Sequence, residues 1–219
     1  PIPTGQVTKN QALFFGVLLS IGSVSLLYFS SNLISASLLL LTICFYFFIY
    51  TVWLKRRTPQ NIVIGGAAGA LPPVIGWTIA TGSLSLEPLI LFLIIFLWTP
   101  SHFWALSIYK SKDYKKAKIP MLPIIYGIEK TKKNIFIYSL LMLPTISAPY
   151  FISFLSKIYF YPALALTIYY IYLCGTLLKV KKNKEINTLA RRIFLYSIFY
   201  LFIIFLLILT DHFFMRLYG

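Results

Sequence analysis

Between Trp98 and Pro123, the stretch WTPSHFWALSIYKSKDYKKAKIPMLP places one of the chain's two histidines, His102, and one of its five acidic residues, Asp113, in otherwise apolar or basic surroundings. An ionisable group at membrane depth costs free energy unless a partner, water or ligand satisfies it, so both are candidates for chemistry. If the helix holding Trp98 runs on to Asp113, then His102, Tyr109 and Asp113 share one face and present an imidazole, a phenol and a carboxylate to a single cavity. At ~1.5 Å per residue, His102 would lie roughly 10 Å deeper than Tyr109. Asp113 sits among Lys112, Lys115 and Lys116, and the prolines of the following IPMLP predict a structured turn rather than a helix. A carboxylate among cations is what a Mg²⁺–diphosphate needs, although a surface ion pair reads the same way.

A second basic segment, YTVWLKRRTPQN (50–61), ends an apolar run with Lys55, Arg56 and Arg57, and Pro59 stops the helix there. Adjacent Lys and Arg can grip a diphosphate; the alternative is an anchor obeying the positive-inside rule. Next comes IVIGGAAGALPPVIGW, whose small residues 65–70 allow close helix approach. Pro72 and Pro73 break that span near its centre, which suits a cavity wall. In WTPSHFWAL, Pro100 predicts a kink, and Trp98, Phe103 and Trp104 suit either a lipid belt or a pocket for a flat apolar ligand or carbocation. Cys44 and Cys174 lie in apolar runs without metal spacing and read as packing residues. No GxxxxGK, HExxH or Ser-His-Asp pattern is present, which argues against a nucleotidase, a zinc protease or a serine hydrolase.

The elements that must position these residues follow from composition. With 59% hydrophobic and 11% charged residues and a mean hydropathy of +0.82, the chain reads as an all-α, polytopic transmembrane helix bundle. Apolar windows fall near 11–29, 33–52, 62–80, 88–109, 134–155, 159–178 and 193–210, giving seven spans. The side holding Pro1, side A, then receives every Lys and Arg except Lys157 and Arg216, which fall on side B. Side A therefore faces the cytoplasm or matrix, and the net charge of +15 serves insertion and anionic lipid, with no role for nucleic acid. The longer loops also lie on side A, so a site should open there.

Taken in order, YTxxLKRxTxxNIxIGGxAGAxPPxxGW, WTPxHFWAL and DYxxAxIPMLP resemble the haem-farnesylating branch of the UbiA-type intramembrane prenyltransferases. The likeness is close over about 50–125 and looser elsewhere, including PIPTG at the start. It implies a nine-span bundle around a cavity opening to side A, with residues 1–219 forming one prenyltransferase domain that lacks the first two spans. It also implies an acidic motif upstream of PIPTG holding the main Mg²⁺ ligands, so that this fragment alone would be inactive. Ala117 stands where the wider superfamily has a second Asp, a form the haem branch shares. By this resemblance Lys55 and Arg56 bind the diphosphate of farnesyl diphosphate, Tyr50 and Asn61 support them, and Asp113 helps hold Mg²⁺. Tyr109, Lys112 and Tyr114 join the substrate site, and His102 and Trp104 face protohaem IX. The implied reaction joins a farnesyl group to a haem vinyl group in a bacterial inner membrane or, as the alternative, the mitochondrial one. A haem A synthase or terminal oxidase assembly would lie downstream. Rival readings are a quinone-precursor or chlorophyllide acceptor, a secondary transporter suggested by the broken spans, and a non-catalytic assembly factor.

Overall fold

The computed structural model describes residues 1–218, with the side chains of Arg216 and Tyr218 outside the described part. The chain runs α1 (Lys9–Ser30), α2 (Leu33–Leu54), α3 (Asn61–Ala70), α4 (Pro72–Thr81), α5 (Leu86–Tyr109), α6 (Ser111–Lys116), α7 (Leu122–Ile125), α8 (Gly127–Phe151), α9 (Lys157–Lys179) and α10 (Asn183–Tyr218). Counting α3 and α4 as one broken span, seven helices are long and apolar enough to cross a bilayer, and they correspond one for one with the apolar windows. The protein is an integral, multi-pass, all-α bundle. Helices α8 and α10 begin earlier than hydropathy marks, because their first turns carry lysines that extend the helix beyond hydrocarbon.

Capping and proline chemistry set the ends. Thr8 and Gln11 form a capping box on α1, and the Asn32 side chain caps α2. Pro72 and Pro73 occupy the first turn of α4, where their missing N–H groups cost nothing, so the third span breaks at Leu71 as the sequence predicts. Pro100 instead lies inside an unbroken α5. From Phe45 to Leu54, α2 winds as a π-helix, with the Lys55 N–H donating to the Tyr50 carbonyl at 2.8 Å. Such wide turns are rare and concentrate at functional places.

The expectation that one helix carries His102, Tyr109 and Asp113 is corrected. Helix α5 ends at Tyr109, Lys110 leaves helical geometry (φ −104°, ψ 23°), and Asp113 belongs to the separate α6. The IPMLP turn is likewise partly helical, since Leu122 opens the single turn of α7.

Helix α5 is the central post, packing against α3, α4, α8 and α10, while α1 packs on α2. The core divides by depth. Towards side A it gathers Trp104, Ile108, Leu122, Ile135, Leu177 and Ile193; towards side B it gathers Ile94, Met142, Ile146, Tyr159, Ala163 and Ile204. Between them, hydroxyls pair across helices: Ser101 with Tyr170 at 2.8 Å and Thr167 with Tyr200 at 2.9 Å.

Two buried charges pin the ends. The fully buried Lys132 donates to Glu129 and to the Val180 carbonyl, both at 2.7 Å, fastening α8 to the exit of α9. At the other end Asp211, also fully buried, accepts from the Ser156 N–H at 2.9 Å, the Tyr159 N–H at 3.2 Å and the Ser156 hydroxyl. It caps α9 from α10, where a helix N-terminus favours negative charge. Asp211→Ala orphans these donors and should cost about 2 kcal/mol, read as a lowered Tm of the detergent-solubilised protein.

Candidate functional site

A cavity of about 270 Å³ lies between α2, α3 and α5, lined by Tyr46, Tyr50, Gly65, Gly66, Trp98 and Phe103 among others. Its shape depends on missing side chains. A Cβ at Gly65 would come within 2.4 Å of Cδ2 and Cε2 of Tyr50, and one at Gly66 within 3.0 Å of Thr99 Cγ2. The glycines of IVIGGAAGA thus let the Tyr50 ring lie flat on α3 and let α3 close on α5.

Tyr50 is the hub. Its ring sits 5.1 Å from that of Tyr46, and Lys55 Nζ lies 5.9 Å from its centroid. The chain then turns back from Lys55 to Asn61, which is buried and donates from Nδ2 to the Lys55 carbonyl at 3.0 Å. Asn61 Oδ1 is sealed from solvent without a partner, an acceptor available to a cation or donor. Arg56 is exposed.

The second basic segment reaches the same place through Tyr114, which is close enough to Tyr50 for the two phenols to interact electrostatically. Burial raises the pKa of Tyr114 above the usual phenol range, so it stays protonated at neutral pH. Fully buried Met121 and Leu122 anchor the loop that carries it. The structure therefore brings Tyr50, Lys55 and Asn61 together within one stretch of chain, with the Tyr114 phenol of a second stretch close enough to act on Tyr50. Asp113, the residue before Tyr114, is exposed and pairs with Lys110 at 3.4 Å, a contact too open to tie up the carboxylate. Lys112 beside it is exposed.

Other sequence candidates lie elsewhere. Tyr109 sits between Lys110 Nζ (5.3 Å) and the Arg191 guanidinium (5.8 Å), turned towards α10. Trp104 is 1% exposed and packs edge-on against Tyr138 in the side A core. His102 is buried between Trp98 and Phe194 and hydrogen-bonds Ser197 at 2.6 Å. Neither His102 nor Trp104 lines the Tyr50 cavity; from WTPSHFWAL it is Trp98, Thr99 and Phe103 that do. Tyr46 and Ser197 drew no notice in the sequence. An aromatic four residues before Tyr50 is a detectable signal for Tyr46, whereas nothing local marks Ser197.

Among the described residues no three His, Cys, Asp or Glu gather as a metal cage. A Mg²⁺ shared with a diphosphate needs only one or two protein carboxylates, its other ligands being phosphate oxygens and water. The open Asp113 carboxylate and the orphaned Asn61 oxygen fit that demand. The ensemble is an apolar slot with a cationic rim, suited to an amphiphile with an anionic head.

Gly65→Ala should drive the Tyr50 ring from its seat and cost about 1–3 kcal/mol, whereas Gly76→Ala, whose Cβ meets nothing within 4 Å, should be neutral. Thermal unfolding of the two variants in detergent checks this.

The profile of the UbiA prenyltransferase family matches residues 1–213. Among curated relatives, the Protoheme IX farnesyltransferase of Pelagibacter ubique (strain HTCC1062) is 66% identical over 96% of this chain and 70% of that protein. Those of Parvibaculum lavamentivorans and Agrobacterium fabrum are 48% and 46% identical, over 96% and 97% of this chain and 66% and 67% of their own lengths. The chain thus spans about two thirds of these relatives. A solved structure reported for digeranylgeranylglyceryl phosphate synthase matches with a TM-score of 0.78 at 21% identity, over 96% of this chain and 72% of that one, a likeness of fold. An apolar slot walled by close-packed small residues and a family match over nearly the whole length lead to one conclusion: this chain belongs to the UbiA prenyltransferase family.

Proposed function

We infer that the protein transfers a farnesyl group from farnesyl diphosphate to a vinyl group of protohaem IX, giving haem O and pyrophosphate. The observation that carries this reading is 66% identity over 96% of the chain to a relative named for that reaction. The slot supports it, since an apolar cavity for an isoprenoid tail lies between α2, α3 and α5 and Lys55, at the end of α2, holds its ammonium 5.9 Å from the Tyr50 ring that lines it. Membership of a prenyltransferase family removes the transporter reading.

In the reaction the farnesyl C1–O bond breaks and its electron pair leaves with pyrophosphate. A vinyl carbon then bonds to C1, and water adds to the resulting cation with loss of a proton. Lys55 and Arg56 stabilise the charge gathering on the leaving group. Tyr50, Tyr46, Trp98 and Phe103 offer ring faces to the allylic cation and keep water from it. Tyr114, protonated, is a hydrogen-bond donor at the mouth. Mg²⁺, held in part by Asp113, would neutralise diphosphate charge when bound. The cation-rich side A would face the cytoplasm of a bacterial inner membrane. The product would serve a haem A synthase or a terminal oxidase.

The full-length protein containing this segment, expressed in a host without haem O, should yield a farnesylated haem on chromatography of extracted pigments; intact expression with no such product overturns the reading. Lys55→Ala and Asp113→Ala should each cut turnover at least ~100-fold at normal membrane levels. A variant with wild-type rates would remove that residue from the site.

A further inference from the structure

The slot has two ends, and contacts across it fix their levels. Towards side A, Lys55 Nζ lies 5.9 Å over the Tyr50 ring, and that ring lies against Gly65. One residue further along α3, Gly66 meets Thr99 of α5. The spans containing α3 and α5 are consecutive and cross in opposite directions. Three residues on from Gly66 and four back from Thr99 therefore lead to the same depth, roughly 5 Å nearer side B at ~1.5 Å per residue. Gly69 and Ile95 stand there, and both line the slot.

The glycines lining the slot are not alike. A Cβ at Gly65 would strike Tyr50 and one at Gly66 would press on Thr99, so packing accounts for both. At Gly69 a Cβ would meet nothing within 4 Å. Glycine within a helix costs stability relative to alanine, and no close approach at 69 explains it. What the missing side chain leaves is room at the deep end of the slot. Opposite, Ile95 also lines an apolar groove of about 430 Å³ between α5 and α10, so its side chain is a partition between the two spaces.

An amphiphile whose anionic head is drawn to Lys55 lays its tail along the slot towards side B, with the far end beside Gly69 and Ile95. Bulk at these two positions touches only a tail long enough to reach them. We propose that Gly69 and Ile95 select the prenyl donor by length: the terminal isoprene unit takes the space that Gly69 leaves open, and Ile95 stops a longer chain from passing into the groove between α5 and α10. A single methylene in an apolar pocket is worth about 10- to 200-fold in discrimination, so a whole isoprene unit gives a wide margin. The proposal rests on the prenyl-donor reading above.

The test uses the full-length protein containing this segment, in nanodiscs, and makes two measurements. One supplies geranyl, farnesyl and geranylgeranyl diphosphates in competition with protohaem IX present and reads the products by mass spectrometry. The other, independent of the acceptor, measures affinity for the unreactive thiolodiphosphates of the same three chains. Wild type should favour farnesyl. Gly69→Leu should move the geranyl-to-farnesyl preference at least ~10-fold towards geranyl in both measurements. Ile95→Ala should move preference several-fold towards geranylgeranyl. Gly76→Leu, on α4 and outside the slot, should keep the wild-type order. A folded Gly69→Leu that keeps the wild-type preference, or that weakens all three chains equally as a merely structural role requires, overturns the proposal. If Gly69→Leu does not fold, an unchanged preference in Ile95→Ala overturns it instead. Farnesyl transfer with length preference unmoved by these variants sinks only this proposal; length-selective thiolodiphosphate binding without transfer to haem sinks only the assigned reaction.

Discussion

Hydrocarbon supplies no hydrogen-bond partner, so a polar group in this bundle is costly unless another part of the chain answers it. That demand is met in three layers. At side A, Lys132 fastens the start of α8 to the end of α9; at mid-depth, hydroxyl pairs join α5 to α9 and α9 to α10; at side B, Asp211 caps α9 from α10. Removing one partner leaves its mate stranded in a low-dielectric interior, so these contacts specify one packing of α5, α8, α9 and α10 more firmly than apolar burial does.

The rigid half is a wall against which a looser element closes. Helix α1 buries no residue, and the π-helical end of α2 buries none either. What locates α2 is, at its start, the hydrogen bonds of Asn32 and Ser35 to Thr78 of α4 and, at its end, the contact of Tyr50 with Gly65 and of Asn61 with the Lys55 carbonyl. The cavity exists because two glycines remove volume where an aromatic ring must lie, and its mouth is basic because the insertion rule had already placed the cations on that side. On the function proposed above, one charge distribution would serve two ends, orienting the chain in the bilayer and receiving an anionic head group.

Much of this is legible from residue order. The apolar windows give seven spans because length and hydropathy are fixed by bilayer thickness. The prolines at 72 and 73 mark a helix restart because their backbone admits little else. Lys55 can be picked out as a cation at the exit of an apolar span, whereas Tyr50, Asn61 and Tyr114 are marked by the motifs that resemble the prenyltransferase family. A helical projection is less dependable where a helix stops, and the shared face of His102, Tyr109 and Asp113 dissolves at Lys110 for that reason.

The sequence by itself determined the class of fold, the number of crossings and the kind of chemistry, since each follows from local composition and from motifs that sit contiguously in the chain. Only the tertiary structure decided which aromatic residue faces the slot and which the core. Trp98 and Phe103 line the slot while Trp104 is buried against Tyr138, because neighbouring positions on one helix meet different helices. It alone showed that His102 Nδ1 meets the hydroxyl of a serine 95 residues away. No local pattern encodes a hydrogen bond across that separation; it comes into being when α5 and α10 pack.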